Sequence, residues 1–158
     1  KHKKVGFIGG IEDISSTDIK LDIFRNKVKE DIFTSKKEWI KLGDYSIEFG
    51  MESFNELIKN NKDLPSAIVT VNDSVAIGVM RAAENNGLNI PEDISILGFD
   101  NIFLSEIFDI TTIGHNYKEL GELAVQIIDK VVNEKEIKRE HLISSKLYKR
   151  NSCKKTKN

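Results

Sequence analysis

Polar side chains or glycines follow each apolar segment that is predicted to be a strand. They occur at Gly9-Gly10, Asp44-Tyr45, Asn72-Asp73, Asp100-Asn101 and His115. Carboxylates and amides accept and donate paired hydrogen bonds, and an aromatic ring beside them can stack on the C–H face of a sugar. The pattern therefore indicates a binding site for a small polyhydroxylated molecule.

Short apolar segments alternate with stretches of helical spacing. The predicted strands lie near residues 5–8, 39–42, 67–71, 94–97 and 110–113, with a further candidate at 141–144. Residues 101–109 have no clear period and are predicted to be a loop. The alternation predicts an α/β fold, a parallel sheet with helices on both faces, formed mainly by residues 3–113. In such a sheet ligands bind beyond the carboxyl ends of the strands, so the polar residues should converge there.

The composition is that of an ordinary globular domain. The chain has 158 residues, of which 39% are hydrophobic and 31% charged, and this balance argues against disorder. No apolar run approaches the roughly 20 residues that a membrane span needs. The one cysteine, Cys153, fits a reducing cytoplasm, and a net charge of −1 gives no general attraction for nucleic acid. Because the first residue is not Met, we expect an excised segment of a longer protein.

The end of the chain is basic. Between residues 144 and 158 there is no acidic residue, and the basic ones are Lys146, Lys149, Arg150, Lys154, Lys155 and Lys157. Such a segment is either a polyanion-binding tail or a solvated, frayed terminus, and the second interpretation is favoured.

Three blocks of sequence resemble the effector-binding core of the lactose-repressor/galactose-repressor (LacI/GalR) family of bacterial transcription regulators. They are residues 69–78, residues 87–101, and residues 111–113 with Leu120-Gly121. Together with residues 3–10 and Gly43-Asp44, these blocks follow the family's order over nearly the whole chain. Their amino-acid sequence is most similar to that of the galactose-repressor branch. The resemblance implies a periplasmic-binding-protein-like lobe that senses a small effector and needs no cofactor or metal.

The resemblance also implies how the chain is organised. Residues 1–113 would form the second of two lobes, residues 114–145 a crossover, helix and strand belonging partly to the first lobe, and residues 146–158 a basic tail. The helix-turn-helix would be missing, so we expect operator DNA to be bound only through that missing N-terminal domain. A homodimer is expected through residues 48–59 and 74–86, with Phe49, Ile77 and Met80 on the outer side, although Ile77 could equally be a core residue.

Five positions match ligand contacts of the family. Asn72 matches a polar contact, Asp100 a carboxylate contact, and Tyr45 an aromatic position that stacks on ligand. Lys20 stands where the family usually has an arginine, and a lysine is a point charge rather than a two-pronged donor. His115 matches a position that is polar in several members. The family's paired prolines before Thr111 are missing, which leaves the loop at 101–109 unassigned.

Structural explanations exist for the same residues. Asn72 could form an Asx turn with Asp73 as a helix cap, Asp100 could accept backbone N–H groups at a turn, and Lys20 could be solvated. An enzyme using Asp100 or Asp44 as base with His115 is the alternative function, as is one lobe of a sugar-binding protein. The sequence has no nucleophile elbow, metal-ligand cluster or phosphate loop, so we expect a sensing module and no enzyme.

Overall fold

A six-stranded sheet runs through the computed structural model, which describes residues 2–155. Its strands are β1 (Val5–Ile8), β2 (Ile40–Lys41), β3 (Ala67–Thr70), β4 (Ser95–Asp100), β5 (Thr111–His115) and β6 (Ser145–Tyr148), in the order β2-β1-β3-β4-β5-β6. β1 to β5 are parallel and β6 runs antiparallel to β5. The predicted α/β fold with a parallel sheet is therefore confirmed.

Helices connect the strands. They are α1 (Ser15–Lys29), α2 (Ile47–Asn60), α3 (Asp73–Asn85), α4 (Phe103–Ile107) and α5 (Tyr117–Val132), with a 3-10 turn at Lys37–Trp39 before β2. Gly98 and Phe99 of β4 point to opposite faces of the sheet. The Lys20 ammonium of α1 lies 3.9 Å from the Phe99 ring centre, whereas the space beside Gly98 is filled by Asp73 of α3. Helices therefore cover both faces, as predicted.

The two faces of the sheet are covered to different extents. On the side of α2 and α3, Ile8, Ile68 and Ile96 have no exposed surface. On the side of α1, half-buried residues border a groove of about 230 Å³. Its apolar lining includes Ile23, Val69, Leu97, Phe99 and Ile113. The core is thus complete under α2 and α3 and open beside α1.

α2 and α3 pack with their backbones in close approach. A β-carbon at Gly78 would overlap the carbonyl oxygen of Ile47, and one at Gly50 would overlap that of Val75. Glycine is required at both positions because no side-chain atom fits between the two helices. Ile77 beside this contact is only 2% exposed. Of the two interpretations of Ile77, an outer-surface residue or a core residue, the structure therefore shows the second.

Two elements near the end of the chain differ from the sequence-based expectation. Residues 103–107 of the predicted loop form α4, and the last strand lies at residues 145–148 rather than 141–144. The predicted frayed terminus is also wrong for residues 146–153. Ser152 is 2% exposed, its hydroxyl donates to the Ile96 carbonyl oxygen at 2.6 Å, and it accepts from the Thr111 amide at 2.8 Å. Lys157 of the basic segment lies outside the described residues.

α5 differs from the other long helices because its apolar face is exposed. None of its residues is buried against the described part of the chain. Leu120, Ile128 and Val131 are 44%, 62% and 54% exposed, although their spacing is that of a core-facing helix. Of the described helices, none is long and apolar enough to cross a membrane.

Asp63 joins two lysines at the start of the sheet, and this arrangement predicts a pH effect. Its oxygens accept from Lys4 at 2.6 Å and from Lys36 at 2.8 Å, and these contacts lower the pKa of the carboxyl below its ordinary 3.8. An acid with a lowered pKa stabilises the folded state above its ordinary pKa, and this contribution disappears as the pH falls through the lowered value.

We therefore expect Asp63→Asn to lower the free energy of unfolding at neutral pH, with the difference from the wild type shrinking below about pH 4. Urea unfolding between pH 2.5 and 7 measures this difference. Glu122→Gln is the control, since that carboxylate has a lysine only at 3.8 Å. A pH-independent difference for Asp63→Asn would show that the two ion pairs are not its origin.

Candidate functional site

The carboxyl ends of the parallel strands form one continuous edge. After β1, the Gly9 amide donates to the Lys41 carbonyl oxygen at 2.8 Å, and Gly43 donates to Gly10 at 3.0 Å. Asp100 at the end of β4 pairs in register with Gly114 of β5. The segments that carry Tyr45, Asn72 and Asp100 therefore lie side by side, as the strand pattern predicted.

Lys20 reaches this edge from α1. Its ammonium group donates to the Val71 carbonyl oxygen at 2.9 Å and lies over the Phe99 ring. Burial lowers the pKa of Lys20, and the negative charge of Asp100 offsets part of that change. Lys20 is thus a half-buried cation at the sheet edge, and the alternative of a solvated helix residue is not observed.

Tyr45 lies between α1 and the end of β3. Its hydroxyl is 2.8 Å from the Thr17 hydroxyl, and its carbonyl oxygen accepts from the Asn72 side chain at 3.1 Å. Thr17 is fully buried, so it fixes one end of the half-buried tyrosine. The ring is held at the edge of the sheet, where a ligand could stack on it.

Asn72 has a structural role, although it is not the Asx turn with Asp73 as the cap that was considered as an alternative. Its side-chain oxygen accepts from the Val75 amide at 2.8 Å, which makes Asn72, rather than Asp73 or Ser74, the N-cap of α3. Its amide nitrogen donates to Tyr45. A primary amide has two donors and two acceptor sites, so one of each is still available to a ligand.

Asp100 is the residue of this edge that is most open to a ligand. It is half-buried, and among residues 2–155 no donor forms a hydrogen bond to its carboxylate. Its backbone has a φ of 103°, and that of Asn101 is 58°. Residues 100–102, hereafter the Asp100 turn, therefore present a carboxylate that has no donor in the described part of the chain, from a backbone conformation that non-glycine residues rarely adopt.

His115 lies one residue beyond the partner of Asp100, at the last pair of β5 and β6. Its Nδ1 is 3.4 Å from the Ser145 hydroxyl. The contact is long for a hydrogen bond, so the ring is only weakly held. A ligand contact by His115 stays a prediction.

Asp73 was expected to be only a cap, but it is a buried carboxylate beneath the site. It is 0% exposed and accepts from the Thr112 hydroxyl at 2.6 Å and from the Ile102 amide at 2.9 Å. Burial raises the pKa of the Asp73 carboxyl, and these hydrogen bonds act in the opposite direction. Sequence reasoning missed this residue because its partners are distant in the chain. The small Gly98 that makes room for it is the one signal available.

The groove beside α1 includes Lys20 in its lining but not Tyr45, Asn72, Asp100 or His115. The polar edge is therefore an open surface and not an enclosed cavity. Within residues 2–155, no cluster of three histidine, cysteine or acidic side chains is arranged to hold a metal ion. The arrangement is suited to hydrogen bonding of a polar ligand that is covered from the other side.

Comparison with known proteins gives consistent matches. Residues 1–153 match the family model of the periplasmic binding protein-like domain. The chain is 33% identical over 138 residues to the transcriptional repressor PurR of Proteus mirabilis. The aligned region covers 85% of this chain and 40% of PurR. The chain is 30% identical over 148 residues to the transcriptional regulator MalR of Clostridium butyricum, covering 92% and 44%. The chain thus spans less than half the length of the curated relatives it matches.

Solved structures agree with this relationship. A LacI transcriptional regulator from Bacillus cereus subsp. cytotoxis superposes with a TM-score of 0.84 and 33% identity, over 99% of this chain and 56% of that one. A dimeric Lac repressor gives a TM-score of 0.82 at 24% identity, over 96% and 56%, and at that identity it shows the fold alone. The predicted periplasmic-binding-protein-like lobe and the LacI/GalR resemblance are confirmed. The expectation that the chain is not an enzyme is confirmed by its relatives, which are named as a transcriptional repressor and a transcriptional regulator.

Proposed function

We propose that this chain, which belongs to the periplasmic binding protein-like domain family of the LacI-type regulators, is the effector-sensing part of a bacterial transcriptional repressor. The observation that carries the proposal is the Asp100 carboxylate at the edge of a parallel sheet, which accepts no hydrogen bond from residues 2–155. Its acceptor sites are therefore free to bind donors from water or from a bound molecule. Ligand hydroxyl groups can supply such donors.

The proposed effector is a small carbohydrate or a sugar derivative. Asp100 would accept from one hydroxyl, the free half of the Asn72 amide would pair with another, and the Tyr45 ring would stack on the C–H face. Lys20 would add a single charged donor, which suits a hydroxyl or a phosphate but not two-pronged binding of a carboxylate. His115 is proposed as a peripheral polar contact.

The other side of the effector would be covered by a first lobe. We propose that residues 1–113 are the second lobe and that residues 114–145 cross into the first one. The exposed apolar face of α5 supports this assignment, since a helix with that spacing normally packs against a core. The described part of the predicted basic tail, residues 146–158, does not behave as a tail. Residues 146–153 return to the second lobe, because β6 pairs with β5 and Ser152 is buried between β4 and β5.

Effector binding would act on DNA through the arrangement of the two lobes. A ligand shifts a conformational equilibrium only by its difference in affinity for the two states. Contacts made by both lobes in the closed state, and by one lobe in the open state, provide such a difference. In this proposal the repressor is cytoplasmic and contacts its operator through a separate DNA-binding domain, not through this chain.

Homodimerisation through the face of α2, α3 and α4 is part of the proposal. Phe103 and Ile107 of α4 are 75% and 59% exposed, and α4 adjoins α3. Met80 of α3 and Phe108, the C-cap of α4, are half-buried. A Lac repressor with the same fold is described as dimeric.

We expect Phe103→Asp to turn a dimer of the full-length regulator into a monomer, as measured by light scattering at high micromolar concentration. Ile19→Asp on α1 is the control, because Ile19 is 59% exposed on another face. A monomeric wild-type protein would contradict this assignment.

A thermal-shift titration of the full-length regulator tests the proposed function. The panel is D-glucose, D-galactose, maltose and D-glucose 6-phosphate, with adenine and hypoxanthine as flat heteroaromatic comparisons. A sugar at a concentration of 100 times Kd should stabilise the folded state by about 2.7 kcal/mol. Saturable stabilisation by a sugar, without any product detectable by chromatography, is the expected result. Product formation would support the enzyme alternative, and stabilisation only by a heteroaromatic base would refute the carbohydrate assignment.

A further inference from the structure

The Asp100 turn has a backbone conformation that must be imposed by its surroundings. Two successive non-glycine residues have positive φ, 103° at Asp100 and 58° at Asn101. Such conformations persist only where neighbouring groups over-determine them, and they concentrate at functional sites. The direction of the Asp100 carboxylate therefore depends on the groups that hold this turn.

From one side the turn is held by α3. The buried Asp73 carboxylate accepts from the Ile102 amide at 2.9 Å, and its other oxygen accepts from the Thr112 hydroxyl of β5 at 2.6 Å. The contact with Thr112 fixes Asp73 relative to the sheet, and the contact with Ile102 in turn fixes Ile102 relative to Asp73. It has no surface on which an effector could touch it.

From the other side the turn is held by the residues that follow β6. The Arg150 guanidinium donates to the Asn101 side-chain oxygen at 2.9 Å and to the Ile110 carbonyl oxygen at 2.8 Å. The Arg150 amide also donates to the Thr111 hydroxyl at 3.0 Å. One planar, forked side chain thus joins the turn to the base of β5.

Two further contacts close the environment of the turn. The Tyr117 hydroxyl donates to the Asp100 carbonyl oxygen at 2.9 Å. A β-carbon at Gly114 would overlap that same carbonyl oxygen, so β5 can approach the turn only with glycine there. The turn is held by four separate segments, and two of them, at Tyr117 and Arg150, lie at the ends of the proposed crossover.

We propose that Asp73 and Arg150 are positioning residues for effector recognition. They hold Ile102 and Asn101 from opposite sides and thereby set the direction of the Asp100 carboxylate, without touching the effector themselves. Arg150 follows β6, the strand that brings the chain back from the first lobe. The direction of the Asp100 carboxylate therefore depends on the position of the crossover. This inference rests on the proposed function.

The test uses the full-length regulator with the variants Asp73→Ala, Asp73→Asn and Arg150→Met. Asp73→Asn preserves the shape of the buried side chain in case Asp73→Ala does not fold. Asp93→Ala and Arg81→Met are matched controls. Asp93 also accepts a backbone amide in a turn, from Asn89 at 2.8 Å, and Arg81 packs its guanidinium 5.4 Å from the Phe108 ring centre. Both measurements are made on each protein: calorimetric titration with the panel sugar that stabilises the wild type, and hydrogen exchange at the Ile102 amide.

We expect Kd to rise about tenfold or more for Asp73→Ala and Arg150→Met, the scale of one lost charge-assisted hydrogen bond, with unchanged stoichiometry. A merely destabilised protein would instead show a lower stoichiometry at an unchanged Kd. Exchange at Ile102 should be faster in both variants than in either control, and Arg150→Lys should recover part of the affinity.

Each outcome decides the inference. A Kd within twofold of the wild type for all three variants, or unchanged exchange at Ile102 in all three, would overturn it. If no panel sugar binds the wild type, the carbohydrate assignment fails separately. Hydrogen exchange then decides alone whether Asp73 and Arg150 hold the turn, with faster exchange supporting the inference and unchanged exchange rejecting it.

Discussion

Gly78→Ala is expected to lower the free energy of unfolding by about 3 kcal/mol, the upper part of the usual range for overpacking a core. The added methyl group would overlap the Ile47 carbonyl oxygen and approach the Met51 amide. Both neighbours are backbone atoms of α2 and cannot rotate away as a side chain would. The helices must separate, and the loss of packing between α2 and α3 outweighs the better helix propensity of alanine, which is worth about 1 kcal/mol.

Urea unfolding monitored by far-UV circular dichroism measures this change. Gly121→Ala is the matched control, because Gly121 lies within α5 and a β-carbon there meets no atom within 4 Å among the described residues. The same methyl group should stabilise that position by about 0.5–1 kcal/mol. If both variants shifted the free energy of unfolding in the same direction, the close approach of α2 and α3 would be refuted.

Asp100→Ala in the full-length regulator is expected to weaken effector binding by about 1.5–3 kcal/mol, the range for a hydrogen bond to a charged group. The carboxylate has no donor from residues 2–155, so its removal should leave the fold and the dimer intact. The variant should therefore bind operator DNA as the effector-free wild type does, and added effector should no longer change that binding.

Isothermal titration calorimetry measures the affinity, and Asp22→Ala on the exposed side of α1 is the control. Asn72→Ala should also weaken binding, but it removes the cap of α3 as well, so its melting temperature should fall. Unchanged affinity in both Asp100→Ala and Asn72→Ala would mean that the family's ligand contacts do not transfer to this chain.

The sequence predicted the sheet and the edge of the site because both follow from local patterns. The apolar segments before Gly9, Asn72 and Asp100 end where the strands end, and parallel strands must end on the same edge. The cap of α2 is equally local, since the Ser46 hydroxyl accepts from the Phe49 amide at 3.0 Å. Capping and strand endings depend on residues close in the sequence, so they can be inferred from the sequence alone.

The groups that hold the site were missed because they act across long separations in the chain. Asp73 depends on Thr112, and Arg150 depends on Asn101. A carboxylate at a helix start and an arginine in a basic segment have obvious local explanations, and both local explanations were wrong. The basic segment was predicted to be a solvated terminus, yet Ser152 within it fills a gap between β4 and β5.

The exposed face of α5 could not be inferred from the pattern. Leu120 and Ile128 have the spacing of a core-facing helix, and the assignment of that helix to another lobe comes from the resemblance and stays a prediction. Periodicity predicts that a face will be buried, but it does not identify what buries it.

A crystal structure of the full-length regulator with its effector bound is the most direct test of the central claim. The effector is predicted to lie between the two lobes, with one of its hydroxyl oxygens within about 3 Å of the Asp100 carboxylate and a ring face against Tyr45. The Asp100 turn should keep the positive φ values of residues 100 and 101. An effector bound elsewhere, or one in the cleft that leaves Asp100 without a contact, would contradict the account.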